Sequence, residues 1–190
     1  MKKSRTLESN KSRLKELYIT EIRPKLKEEL GLSNIMEVPK IAKVVLNVGV
    51  KEAVADSKII QTVAQVITAI SGQTPVKTKA RKSIAGFKIR EGMQLGVMVT
   101  LRGKNAYEFV DKLINLALPK VRDFQGVSPK FDGRGNYNLG VKEWNIFPEA
   151  ESAGAQEKSH GLNITIHTTA KKDEHGYALL KNFGMPFRKK

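Results

Sequence analysis

Lys77, Lys79, Arg81, Lys82, Lys88 and Arg90 crowd into residues 77–90, and no Asp or Glu lies between Asp56 and Glu91. Cations at this density are suited to neutralising phosphates, and the residues among them add matching chemistry. Ser83 can donate to a phosphate or ribose oxygen, and Gly86 leaves room for close backbone approach. Phe87 has two readings: its ring stacks on an unpaired base, or it packs in a core. A second constellation joins Arg122-Asp123-Phe124-Gln125-Gly126 to Phe131-Asp132-Gly133-Arg134-Gly135-Asn136-Tyr137. It sits in a basic stretch made of Lys120, Arg122, Lys130, Arg134 and Lys142. A turn at Asp132 and Gly133 would free Arg134 to reach a backbone phosphate.

Other chemistries find little support. Nothing matches a P-loop, a Gly-x-x-Gly clamp or the aromatic signature of RRM domains; Ala85-Gly86-Phe87-Lys88-Ile89 is the nearest text to the last. His160, His167 and His175 lack metal-site spacing, so surface or packing roles are expected and no metal site is assigned. No Ser-His-Asp arrangement is readable, and the chain is read as no enzyme. The rival reading is a nucleic-acid enzyme whose scattered carboxylates meet only in the fold. Metal-dependent RNA turnover, lost in a carboxylate variant, would distinguish it.

The whole composition agrees with the basic clusters. The 190 residues carry 34 Lys and Arg against 19 Asp and Glu, a formal charge of +15, which asks for a polyanionic partner. Cysteine is absent, which removes disulfides, thiolate metal sites and thiol catalysis. The N-terminus has no apolar stretch behind its charges and no run is long enough to span a bilayer, so a cytoplasmic protein is expected. A membrane-surface role through the first helix fits poorly, because Lys15, Lys25 and Lys27 are offset by Glu16, Glu21, Glu28 and Glu29.

The elements that must position the two clusters follow from periodicity. Leu14, Leu17, Tyr18, Ile22, Leu26 and Leu30 mark an amphipathic helix, kinked or restarted at Pro24 and stopped by Gly31. Residues 41–48 read as a buried strand. Ser57 is expected to cap a helix with Ile59, Ile60, Val63, Val66, Ile67 and Ile70 on one stripe, closed by Gly72. A strand beginning at 75–78 and another at 93–101 flank the basic loop. Asn105 is expected to cap a helix facing Phe109, Leu113, Leu116 and Ala117 inward, ended by Pro119. Residues 125–135 read as an ordered loop, 137–143 and 162–169 as strands, 149–161 as an exposed loop and 173–182 as the last helix. This order predicts an α+β fold: one mainly antiparallel sheet, helices packed on one face in a two-layer, RRM-like or ferredoxin-like sandwich, and the other face turned to RNA. Residues 12–190 are expected to form a single domain, after a basic, flexible extension at 1–11.

The same stretches resemble the bacterial large-subunit ribosomal protein L5 family. The matching text includes Leu46-Asn47-Val48-Gly49-Val50, Ile70-Ser71-Gly72-Gln73, residues 78–90, Val99-Thr100-Leu101-Arg102-Gly103, Arg122-Asp123-Phe124, residues 131–137, Ile146-Phe147-Pro148-Glu149 and residues 161–170. Together with 36–39 and 183–188, it runs in colinear order over residues 12–190.

The resemblance implies a structural constituent of the large ribosomal subunit that binds 5S rRNA and helps attach it to the large-subunit rRNA in the central protuberance. It implies 5S rRNA contacts at Asn47, Gln73, Phe87 and Thr100. The loop 79–89 is expected to touch P-site tRNA through Lys79, Arg81, Lys82, Ser83 and Gly86, with Arg81, Lys82 and Ser83 near its tip. Lys120, Arg122 and Arg134 are expected to meet other rRNA. The resemblance also implies an intersubunit bridge to small-subunit protein S13, placed near 147–161, although that loop departs from the family's usual text. No cofactor, membrane or small-molecule substrate is implied.

Overall fold

In the computed structural model, residues 12–152 and 159–188 are described; the expected 1–11 extension lies outside them. The first strand, β1 (Ile41–Gly49), sets the logic of the fold. Successive strand side chains point to opposite faces, so Val44, Leu46 and Val48 are buried while Asn47 stands on the other side. The strand is therefore half-buried, not the wholly buried strand that its apolar run predicts. Beside it lie β2 (Val76–Lys79), β3 (Gln94–Leu101), β4 (Tyr137–Val141) and β5 (Leu162–Thr168). All pair antiparallel in the order β2-β3-β1-β5-β4.

The helices cover one face of this sheet, giving the expected two-layer α+β sandwich. They are α1 (Arg13–Leu17), α2 (Arg23–Glu29), α3 (Ile59–Ser71), α4 (Gly103–Lys112), α5 (Pro148–Ser152) and α6 (Asp173–Asn182). Tyr18–Ile22 between α1 and α2 is a π-helical turn, in which the Arg23 N–H reaches back to the Tyr18 carbonyl. The helix runs on unbroken through this wider turn into Pro24, and the π turn falls just where the proline cannot supply an α-helical N–H. Gly31 then leaves the helix at φ +61°.

The apolar stripe of α3 is as its spacing predicted, with Ile60, Val63, Val66, Ile67 and Ile70 buried and Gly72 closing it in the left-handed region. Neither expected side-chain cap forms. The helix α3 starts at Ile59, past Ser57, and the Lys58 N–H is taken by Asp56 Oδ1 at 2.8 Å. Asn105 lies inside α4, which begins two residues earlier at Gly103. A π turn, Leu113–Ala117, follows α4, and Pro119 falls in a 3-10 turn after it. The buried positions run Ala106, Tyr107, Phe109, Val110, Leu113, Ile114, Ala117 and Leu118, so Leu116 falls off the stripe and is 51% exposed. Residues 149–161 also differ from an exposed loop: α5 occupies their start and Ala150 is buried, while 153–158 lie outside the described residues.

One contiguous core runs from Leu14 to Met185 and includes Trp144, Tyr137 and Phe147. Tyr18, Tyr107 and Phe183 pack as an aromatic triangle, and the Tyr18 hydroxyl donates to the Pro39 carbonyl at 2.9 Å. Among the described residues, no helix is long and apolar enough to cross a membrane.

Candidate nucleic-acid interface

The face of the sheet away from the helices mixes small and polar side chains with Val45, Val76 and Met98, and is mostly uncharged. Register defines its rows. Asn47 stands between Met98 and Asn163, whose row continues to Val76 on one side and Gly140 on the other. The next row is Thr100, Val45, Thr165 and Asn138. Gly49 faces Gly96, which in turn faces Thr78. No residue of the five strands is Asp or Glu. Strands that carry no carboxylate, backed by a packed core, can admit an RNA backbone with little like-charge repulsion and offer hydrogen bonds to bases and 2′-hydroxyls.

Two of the four expected 5S contacts meet on this face. Asn47 on β1 and Thr100 on β3 occupy adjacent rows, Asn47 opposite Met98 and Thr100 opposite Val45. Gln73 and Phe87 lie off the strands and attach to the β2 edge. Gln73 is exposed just beyond Gly72, where Ser71 fixes the chain: its hydroxyl donates to the Gln73 carbonyl at 2.9 Å. Phe87 is 70% exposed, which decides between its two readings in favour of a free ring rather than a core one.

The basic loop is an ordered arm. At its base, the Ala80 N–H donates to the Met93 carbonyl at 2.8 Å and the Gly92 N–H to the Ala80 carbonyl at 3.0 Å. Farther out, Ile84 and Ile89 exchange two backbone hydrogen bonds, at 2.9 and 3.1 Å, around the 3-10 turn Ala85–Phe87. Lys88 takes φ +56° to close that turn. The tip is therefore the Ala85–Phe87 turn, and Arg81, Lys82 and Ser83 line the arm between its two paired stations instead of sitting at the end. All three are exposed, as are Lys79 and Gly86. The Ser83 hydroxyl oxygen accepts the Glu91 N–H at 2.9 Å, so Ser83 braces the arm and keeps its O–H for a ligand. A Cβ added at Gly86 would meet nothing within 4 Å, so the space beside it is open to a partner.

At the opposite edge, the expected turn around Asp132 is present. Asp132 Oδ1 accepts the N–H groups of Arg134 and Asn136 at 2.8 and 3.0 Å, and its Oδ2 accepts the Asn136 amide at 2.7 Å. The Asn136 side chain, with these N–H groups, holds the Asp132 carboxyl below the usual carboxylate range. Arg134 projects, exposed, from this turn near β4, while Lys120 and Arg122 are exposed after α4 and its trailing turns. The structure does not bring these three cations onto the strand face itself. His160 packs edge-on against Trp144 with ring centres 5.0 Å apart, and no metal-holding cluster of His, Asp or Glu occurs among the described residues.

Residues 34–90 match the family described as Ribosomal protein L5, and residues 94–187 match the model of that ribosomal family's C-terminus. The chain belongs to the ribosomal L5 family. It is 59% identical over 180 residues to the large ribosomal subunit protein uL5 of Syntrophotalea carbinolica, covering 94% of this chain and 97% of that one. The uL5 of Geobacter sulfurreducens is 58% identical over 178 residues, covering 93% and 99%. That of Acidobacterium capsulatum is likewise 58% identical, covering 93% and 97%. As an L5 protein the chain is a structural constituent of the large subunit of the bacterial ribosome, in the cytoplasm, associated with rRNA, and not an enzyme. Asn138, Asn163 and Thr165 share the L5 sheet face with Asn47 and stand outside the site residues that the sequence predicts. The signal was present in the strict alternation of Leu162-Asn163-Ile164-Thr165-Ile166-His167.

Proposed function

We propose that this L5 protein binds 5S rRNA on the sheet face whose strands carry no acidic residue and along the β2 edge, and helps attach it to the large-subunit rRNA in the central protuberance. The observation that carries this reading is the placement of Asn47 and Thr100 in adjacent rows of a face whose strands contain no acidic residue. Strand positions are rigid, so their hydrogen-bonding groups are held in fixed register for an RNA of fixed shape. Gln73 and the free Phe87 ring extend the surface to its edge. Phosphate contacts from Lys120, Arg122 and Arg134 would add affinity toward large-subunit rRNA, each lowering log K by roughly 0.7–0.9 per decade of salt.

The arm 79–89 serves a second RNA in this reading, the P-site tRNA, through Lys79, Arg81, Lys82, Ser83 and Gly86. Its backbone bracing carries these groups away from the sheet as one unit. The neighbourhood 147–161 is assigned to the bridge with small-subunit protein S13. There α5 is tied to α4 by the ion pair of Glu149 with Lys112. Residues 12–190 act as one RNA-binding domain.

The test is a filter-binding titration against 5S rRNA at two salt concentrations, with tRNA and an unrelated structured RNA as competitors. Preference for 5S rRNA that persists at the higher salt is expected. Equal binding to all three, collapsing with salt, would reduce the surface to non-specific charge and refute the reading.

A further inference from the structure

We propose that Lys43 and His167 form a phosphate-binding pair at the β1–β5 end of the free sheet face, gripping one phosphodiester of the bound RNA. This rests on the reading that the face binds RNA and adds a contact outside the residues already assigned to it.

The pair is made by backbone geometry. Lys43 and His167 are direct partners in the antiparallel ladder of β1 and β5, which brings their Cβ atoms to about 4.5–5.5 Å. A bulge between Ile41 and Lys43 sets their direction: Ile41 pairs with Thr168 and Lys43 with His167, leaving Ala42 as the extra residue. In a regular strand Ile41 and Lys43 would share a face. The bulge instead sends Ile41 into the core, 6% exposed, while Lys43 stays half-buried on the face of Val45 and Asn47.

Neither group is tied down by the protein itself. Among the described residues, neither the Lys43 ammonium nor the His167 ring has a hydrogen bond or an ion pair. Two charged or ionisable groups face His167: Lys43 from β1 and Asp132 from the loop before β4. Partial burial and the Lys43 charge push the imidazole below its ordinary value, more than Asp132 raises it. The neutral imidazole is thereby favoured, and it donates from one nitrogen. An anion between the two groups would satisfy the ammonium, accept from the ring and cancel the repulsion that disfavours imidazolium. The chemistry required is a phosphate oxygen, and along β1 the site lies roughly 13 Å from Asn47, on the same RNA-facing surface.

The linkage has a definite sign. A phosphate raises the His167 pKa in the complex above its value in the free protein, so binding takes up a proton and tightens as pH falls between those two values. Each unit of rise is tenfold in affinity. Binding of 5S rRNA is to be measured at pH 5.5, 6.5 and 7.5 and at two salt concentrations, for the wild type, His167→Gln, Lys43→Met and Lys43→Arg. The expected result is tightening toward pH 5.5 that His167→Gln removes, and a salt slope about 0.7–0.9 smaller in Lys43→Met but retained in Lys43→Arg. A His167→Gln protein that follows the wild type at every pH, with an unchanged slope in Lys43→Met, overturns the pair. If the wild type shows no preference for 5S rRNA, the 5S reading fails separately. The same variant comparison on an unrelated structured RNA then decides the pair.

Discussion

The carboxylate of Asp173, at the start of α6, accepts the backbone N–H of Gly135 at 2.8 Å, binding the last helix to the loop that carries Arg134. Its other oxygen takes the Gly133 N–H at 3.1 Å. Two carboxylates thus shape this loop: Asp132 from within and Asp173 from the helix. The loop can press so closely because it is glycine there. A Cβ on Gly135, whose φ is +75°, would stand 2.7 Å from the Ala170 Cβ, and one on Gly176 would stand 2.7 Å from the Gly135 carbonyl.

Asp173→Ala leaves both N–H groups without their acceptor. It should destabilise the protein by about 1–3 kcal/mol, or roughly 2–4 °C in Tm per kcal/mol at this size. It should also weaken rRNA binding in the same way as Arg134→Ala. Thermal unfolding of both variants checks this: a loss of stability is expected for Asp173→Ala alone, since Arg134 is exposed. Equal Tm values would show that the tether contributes nothing.

Phe87→Ala should weaken 5S rRNA binding by roughly 1–3 kcal/mol, the range for a base-stacking aromatic. Because the ring is already 70% exposed, Tm should stay within about 1–2 °C of the parent. An unchanged Kd in a protein of unchanged Tm would rule out stacking at this position.

Arg81→Ala combined with Lys82→Ala should leave 5S rRNA affinity nearly intact and weaken P-site tRNA retention on assembled ribosomes. The two side chains lie on the arm between its backbone-paired stations, away from Asn47 and Thr100. Titration with isolated 5S rRNA, alongside tRNA dissociation from reconstituted ribosomes, separates the effects. Loss of 5S binding in the double variant would merge the two surfaces into one.

Stability should fall at alkaline pH. Burial pushes the phenols of Tyr107 and Tyr137 up to about 12, and the Tyr137 hydroxyl donates to the Ser128 carbonyl at 2.7 Å. An unfolded tyrosine ionises near about 10. These two groups therefore contribute their full stabilisation below pH 10 and lose it progressively between about pH 10 and 12. Denaturant midpoints measured from pH 9 to 11.5 should decline across that window, with less decline in Tyr137→Phe. A flat profile would mean that neither phenol is held neutral by the fold.

Local readings that depended on periodicity transferred directly to the structure. The stripe of α3, the limits of α6 at Asp173–Asn182 and the alternation of β5 follow from where apolar side chains can be buried along one repeating backbone. The readings that failed depended on what a single polar residue does among competing options. Ser57 and Asn105 are good capping types, yet the helices start elsewhere because tertiary packing of the apolar stripe sets their ends. Leu116 looked inward at ordinary helical spacing, but the π turn at Leu113–Ala117 shifts the stripe to Ala117 and Leu118.

By itself, the sequence determined the charge, the α+β class, the positions of the basic arm and the Asp132 turn, and enough matching text to point to the L5 family. All of these are properties of neighbours along the chain. The tertiary structure alone decided that Phe87 is free and that Asn47 and Thr100 share a face with Asn163 and Thr165. It also decided that Lys43 meets His167 across a bulge. Those relations join residues far apart in sequence through strand register, and register is settled only when the whole sheet closes over one core.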